Sequence, residues 1–153
     1  MGLCCFDPLP EKKVMCYNML QLAYLGDSVW EVIIRNELLR RGLNVHHMHS
    51  FCIQYVSARA QASFVQMIYH ELSDEEQAII RKGRNAHSHH PVPKNQNPED
   101  YSISTGFEAL IGFLFLAGKA ERILQIARMI VGGDLYGRTK KNESDITQTY
   151  IGS

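Results

Sequence analysis

The chain has 153 residues, 45% of them apolar, and a formal net charge of zero. That length supports one compact core and excludes two well-formed domains, while zero net charge excludes indiscriminate nucleic-acid binding through an overall basic field. No run of about 18 uninterrupted apolar residues is present, and residues 1–11 carry Asp7, Pro8 and Pro10 instead of a basic stretch followed by a long apolar one, so a soluble, cytoplasmic protein with no membrane partner is expected.

In chain order, residues 28–41 place Val29, Trp30, Ile33, Ile34 and Leu38 at spacings of one, three and four. This predicts a helix that buries one broad face, stopped by Gly42. Residues 56–72 repeat the pattern more weakly, with Val56, Ala60, Phe64, Val65, Ile68 and Leu72. Ser73 reads as an N-cap, and Glu76 three residues later completes a capping box for a helix running through Ala78, Ile79 and Ile80. Pro91, Pro93 and Pro98 make residues 87–100 an exposed loop. Residues 107–116 are almost wholly apolar apart from Glu108, which predicts a central helix buried nearly all round. An amphipathic helix follows over residues 120–131, before Gly132 and Gly133, and a polar tail runs from residue 137. No segment alternates with period two, so the fold class is all-α.

The neutral total hides a segregation of charge. Residues 38–70 contain no Asp or Glu but hold Arg40, Arg41, Arg59 and four histidines; residues 77–98 add Arg81, Lys82, Arg84, Lys94 and three more. Such a distribution gives a neutral protein one positive face suited to a polyanion, although solvated helix faces account for it equally well. Cys4, Cys5, Cys16 and Cys52 form no C-x-x-C pair, and the histidines at 46, 47, 49, 87, 89 and 90 have no matching ligands at zinc-site spacing. Reduced thiols and surface histidines are expected.

Two carboxylates stand out. Glu108 sits between Phe107 and a run of Ala109, Leu110 and Ile111, where an unpaired carboxylate is costly, so it needs a cation, a metal or a water-filled cleft. Asp27 follows Leu22, Ala23, Tyr24, Leu25 and Gly26 and reads either as a metal ligand or as a simple helix cap. Brought together, such a pair suits hard Mg²⁺, which takes one or two carboxylates plus water and phosphate oxygens. Glu31, one turn after Asp27, is a supporting group for the same cation.

The stretch Leu22-Ala23-Tyr24-Leu25-Gly26-Asp27-Ser28-Val29 resembles the signature helix of the ribonuclease III family, and Phe107-Glu108-Ala109-Leu110-Ile111-Gly112 resembles its second catalytic helix. Lys82-Gly83-Arg84-Asn85-Ala86, Pro93-Lys94-Asn95, Gly137-Arg138 and Lys141-Asn142-Glu143 are similar to the Mini-III branch, which lacks a separate double-stranded-RNA-binding domain. The resemblance implies a helical catalytic domain over residues 20–136, between a lead-in at 1–19 and a tail at 137–153. It also implies a homodimeric, Mg²⁺-dependent endoribonuclease, with Mn²⁺ able to substitute, that cuts double-stranded RNA and matures precursor large-subunit (23S) ribosomal RNA. Asp27 and Glu108 fall on essential family carboxylates, and Tyr24 on an aromatic position that enters a pocket of the partner subunit, an ordinary core aromatic being the alternative. Thr105 and Ala23 stand where larger family members carry further acids, which leaves the number of metals open.

A-form RNA offers a wide shallow minor groove with 2′-hydroxyls and phosphates, so recognition by shape and charge is expected. Lys82, Arg84, Asn85, Ser88 and Lys94 are the candidate RNA-binding residues. A catalytically silent RNA-binding dimer on the same fold is the alternative function, disfavoured by the retention of both Asp27 and Glu108.

Overall fold

The structure, a computed structural model, describes residues 6–86 and 91–132. Seven α-helices and one short 3₁₀ turn occupy these residues: α1 (Glu11–Val14), α2 (Met19–Arg40), α3 (Val45–Val56), α4 (Ala58–Ile68), the turn Tyr69–Glu71, α5 (Asp74–Asn85), α6 (Pro98–Leu116) and α7 (Ala120–Val131). Among the described residues there is no strand, as the all-α reading expects, and no helix is long and apolar enough to cross a membrane. The tail from residue 137, with its Gly137-Arg138 and Lys141-Asn142-Glu143 motifs, lies outside the described residues.

α6 is the axis around which the rest is arranged. Phe107, Ala109, Leu110 and Ile111 are wholly buried, and α2, α4 and α5 pack against the helix from different sides. Its apolar residues therefore show no single stripe, because there is no solvent face to spare in its second half. The Trp30 ring of α2 meets Phe107 edge-on, with centroids 4.9 Å apart, and its Nε1–H donates to the Tyr55 carbonyl at 2.8 Å, so the polar end of the indole is satisfied inside the core. On α5 the capping box forms: the Ser73 hydroxyl accepts from the Glu76 N–H, and Glu76 accepts from the Ser73 N–H.

Three expectations need correction. The first long helix starts at Met19, not at residue 28, capped by Asn18, whose side chain accepts from the Leu20 N–H while Gln21 accepts from the Asn18 N–H. Asp27 consequently lies inside a helix, so it is not a cap. The weakly periodic stretch from 56 to 72 is not one helix: Ser57, in extended conformation, ends α3 and caps α4 through the Ala60 N–H. α3 itself escaped the periodicity because it buries only Cys52 and leaves Val45, Phe51 and Ile53 exposed. Finally, residues 98–100 of the expected loop are helical. Pro98 takes the first helical position, where no N–H is missed, and Asn97 accepts from the N–H groups of Glu99 and Asp100.

The lead-in is docked as well. Val14 is wholly buried, and the Leu9 N–H donates to the Leu116 carbonyl at 2.8 Å, fastening residues before 19 to the end of α6.

Candidate active site

Asp27 and Glu108 come from the middles of α2 and α6, and the fold brings them together because the two helices touch backbone to backbone. Gly26 and Gly112 make this possible. A Cβ at Gly26 would lie 2.7 Å from both the Glu108 carbonyl carbon and the Gly112 nitrogen, and one at Gly112 would lie 2.8 Å from the Leu22 carbonyl carbon. Residues next to such a contact have little choice of position, so Asp27 and Glu108 share one edge of the seam.

Their carboxyl groups are hydrogen-bonded to each other and open onto a cleft of about 820 Å³. Asp27 is exposed on the cleft wall and Glu108 is half-buried at its base. Burial pushes the Glu108 carboxyl up first, and the Asp27 charge and shared hydrogen bond push further, to about 8, against a smaller opposing pull from the Gln61 amide. Asp27 is also raised, by burial and by the Glu31 charge, while its bond to Glu108 lowers it. Both carboxyls are thus raised together, and near neutral pH the pair shares one proton, which burial of Glu108 favours keeping.

A pair of carboxylates that must share a proton to coexist fits a divalent cation, which would replace that proton and keep both groups ionised. Among the described residues no three His, Cys, Asp or Glu side chains converge, so further ligands would be water and substrate oxygens. Glu31 is near enough for its charge to act on Asp27, but its carboxylate is paired with Arg35 four residues on, and it does not line the cleft. Ala23 and Thr105, where larger family members place acids, do line it.

The other candidates are spread around this centre. Tyr24 lines the cleft and is 85% exposed, which removes the alternative of a core aromatic. Lys82, Arg84 and Asn85 are exposed in the last turns of α5, and Arg84 donates to Glu99 at 3.3 Å, tying the end of α5 to the start of α6. Lys94 is exposed beside Asn95, Gln96 and Asn97, which form part of the cleft wall. Ser88 lies outside the described residues. Arg59 is a cleft residue that sequence reasoning did not single out, although it stands within the acid-free stretch from 38 to 70. Gln61, also missed, carries no sequence signal, because an isolated Gln in an amphipathic helix reads as surface.

Comparison with known proteins identifies the family. The profile of the Ribonuclease III domain matches residues 20–119. Over 108 residues, 70% of this chain and 82% of the relative, the sequence is 45% identical to a Mini-ribonuclease 3 of Symbiobacterium thermophilum. It is 40% identical over 124 residues, 80% of this chain and 87% of the relative, to a Mini-ribonuclease 3 of Thermoanaerobacter sp.. A crystal structure of a protein from Fusobacterium nucleatum superimposes with a TM-score of 0.69 at 30% identity, covering 75% of this chain and 92% of that one. The motifs around Asp27 and Glu108, the helical fold and the matched length agree: the chain belongs to the ribonuclease III domain family, and the resemblance to its Mini-III branch holds.

Proposed function

We propose that this endoribonuclease hydrolyses phosphodiester bonds of double-stranded RNA, with Asp27 and Glu108 holding Mg²⁺, or Mn²⁺ in its place, and Glu31 supporting them through its charge. The observation that carries this reading is the proton-sharing Asp27–Glu108 pair at the base of a cleft, in a chain of this family. When bound there, a divalent cation supplies an activated water and offsets the charge that gathers on the phosphate. The protein's part is to surrender the shared proton, keep both carboxylates aimed at one point and hold the duplex.

Arg59 makes no ion pair or hydrogen bond with another described residue and lines the same cleft, which suits it to a phosphate close to the cut bond. Lys82, Arg84, Asn85, Ser88 and Lys94 would contact phosphates and sugars farther along the duplex. Tyr24, exposed on α2, would enter the partner in a homodimer, placing two cleavage centres on one duplex. The substrate proposed is precursor large-subunit (23S) ribosomal RNA, met in the cytoplasm.

The test is incubation of a perfect RNA duplex, and of its separated strands, with Mg²⁺ or with chelator. Discrete products from the duplex in Mg²⁺ alone are expected. Metal-independent products would overturn the metal reading, and no product from any duplex would leave only a silent RNA-binding dimer.

A further inference from the structure

The buried face of α4 consists of Gln61, Ala62, Val65 and Ile68, and Gln61 is its one polar member. Its side chain is wholly excluded from solvent, yet neither Nε2 nor Oε1 has a hydrogen-bond partner of full geometry. An amide in that state is costlier than an apolar side chain of equal size, so packing alone does not account for it. Its location supplies the account. Gln61 lies one turn after Ser57 and Ala58, both of which line the cleft, on the face of α4 that packs against α6, and the group its amide acts on is the Glu108 carboxyl.

We infer that Gln61 is a positioning residue: its buried Nε2–H is directed at the Glu108 carboxyl and fixes the rotamer that turns Glu108 towards Asp27. A carboxylate that holds a cation has acceptor oxygens only, and a fixed neutral donor behind one of them orients it without competing for the cation. A lysine or arginine there would supply a competing charge. The surrounding apolar face explains why a neutral amide serves instead: it desolvates less expensively than a cation.

The inference rests on the Asp27–Glu108 reading above, and the experiment separates the two. Metal-free full-length protein is prepared as wild type, Gln61→Met, Gln61→Leu and Glu108→Gln, and its thermal midpoint and Mn²⁺ affinity are measured, the latter by electron paramagnetic resonance. Rates of duplex cleavage at saturating Mg²⁺ follow. For Gln61→Met we expect a midpoint equal to wild type or higher, Mn²⁺ binding weakened about tenfold and a rate reduced by a similar factor. Gln61→Leu should behave alike, since it also lacks the donor.

Unchanged Mn²⁺ affinity and rate in both Gln61 variants, with Glu108→Gln impaired, would overturn the inference alone. Failure of both Gln61 variants to fold would also overturn it, because a buried amide without a full hydrogen-bond partner, replaced by an apolar near-isostere, should not unfold the core. Unchanged Mn²⁺ affinity in Glu108→Gln would instead overturn the metal-site reading itself.

Discussion

Gly26 of α2 lies flat against the backbone of Glu108 on α6, leaving no room for a Cβ between them. This contact sets the distance between the two carboxylates, because Asp27 is the next residue along α2. Gly26→Ala should force the helices apart, costing about 3 kcal/mol of stability, an overpacking penalty at the upper end of the usual range. In a thermal melt the midpoint should fall by about 10 °C. Since neither partner atom belongs to a flexible side chain, compensation by repacking is not expected, and an unchanged midpoint would mean the helices are farther apart than described.

Glu108 should make the metal-free protein less stable as the pH rises. Its folded pKa, about 8, exceeds the ordinary 4.5, so the folded state binds its proton more tightly than the unfolded chain. Stability from this group is complete below about pH 4.5 and is lost on rising through pH 8, by about 3 kcal/mol after allowance for partial exposure. Glu108→Gln should abolish that part of the decline in pH-dependent denaturation of metal-free protein. Added Mg²⁺ should restore wild-type stability at pH 8 but not that of Glu108→Gln.

The ion pair between Glu76 and Arg122 has the opposite pH dependence. Arg122 donates to both Glu76 oxygens at 2.7 and 2.8 Å and to the Glu71 carbonyl at 2.9 Å, clamping α7 to the start of α5. Burial pushes the Glu76 carboxyl up, but the Arg122 and Ser73 hydrogen bonds and the nearby cations outweigh it and hold the pKa below the ordinary value. The stabilisation is present above the unfolded pKa and lost as the pH falls through the folded one. Arg122→Met should destabilise by about 2 kcal/mol at neutral pH, with the difference from wild type shrinking under acid conditions. Urea denaturation at pH 7 and pH 3 checks both halves.

Duplex binding, measured in Ca²⁺ or chelator to prevent cutting, should weaken steeply with salt. Single replacements Arg59→Ala, Lys82→Ala and Lys94→Ala should each reduce the slope of log affinity against log salt by about 1 per protomer contact, uniformly across sequences. A slope indifferent to all three replacements would remove them from the RNA surface. Arg59→Ala should also slow cleavage, because that residue lines the same cleft as the carboxylate pair, whereas Lys82→Ala should affect binding alone.

What the sequence disclosed tracks how each residue is packed. α7 and the capping box of α5 were legible because local chemistry decides them: one apolar face, one Ser with a Glu three residues on. The first turns of α2 were not, since residues from Leu22 to Gly26 are in contact with α6 through backbone and small side chains, which leaves no regular apolar stripe to read. α3 was hidden for a related reason, an apolar surface left uncovered in the isolated chain. Asp27 and Glu108 were visible as acids in apolar surroundings, and the family motif joined them. Arg59 and Gln61 were not, because their significance comes only from the wall that α4 contributes to the cleft.

The central claim is that Asp27 and Glu108 hold one and the same divalent cation. Mn²⁺ titration of metal-free wild type, Asp27→Asn, Glu108→Gln and the double variant tests it most directly. The account predicts that each single replacement weakens the site by about tenfold or more. It further predicts that the double replacement adds much less than the sum of the two, as expected for ligands of one ion. Undiminished Mn²⁺ binding by either single variant would contradict it.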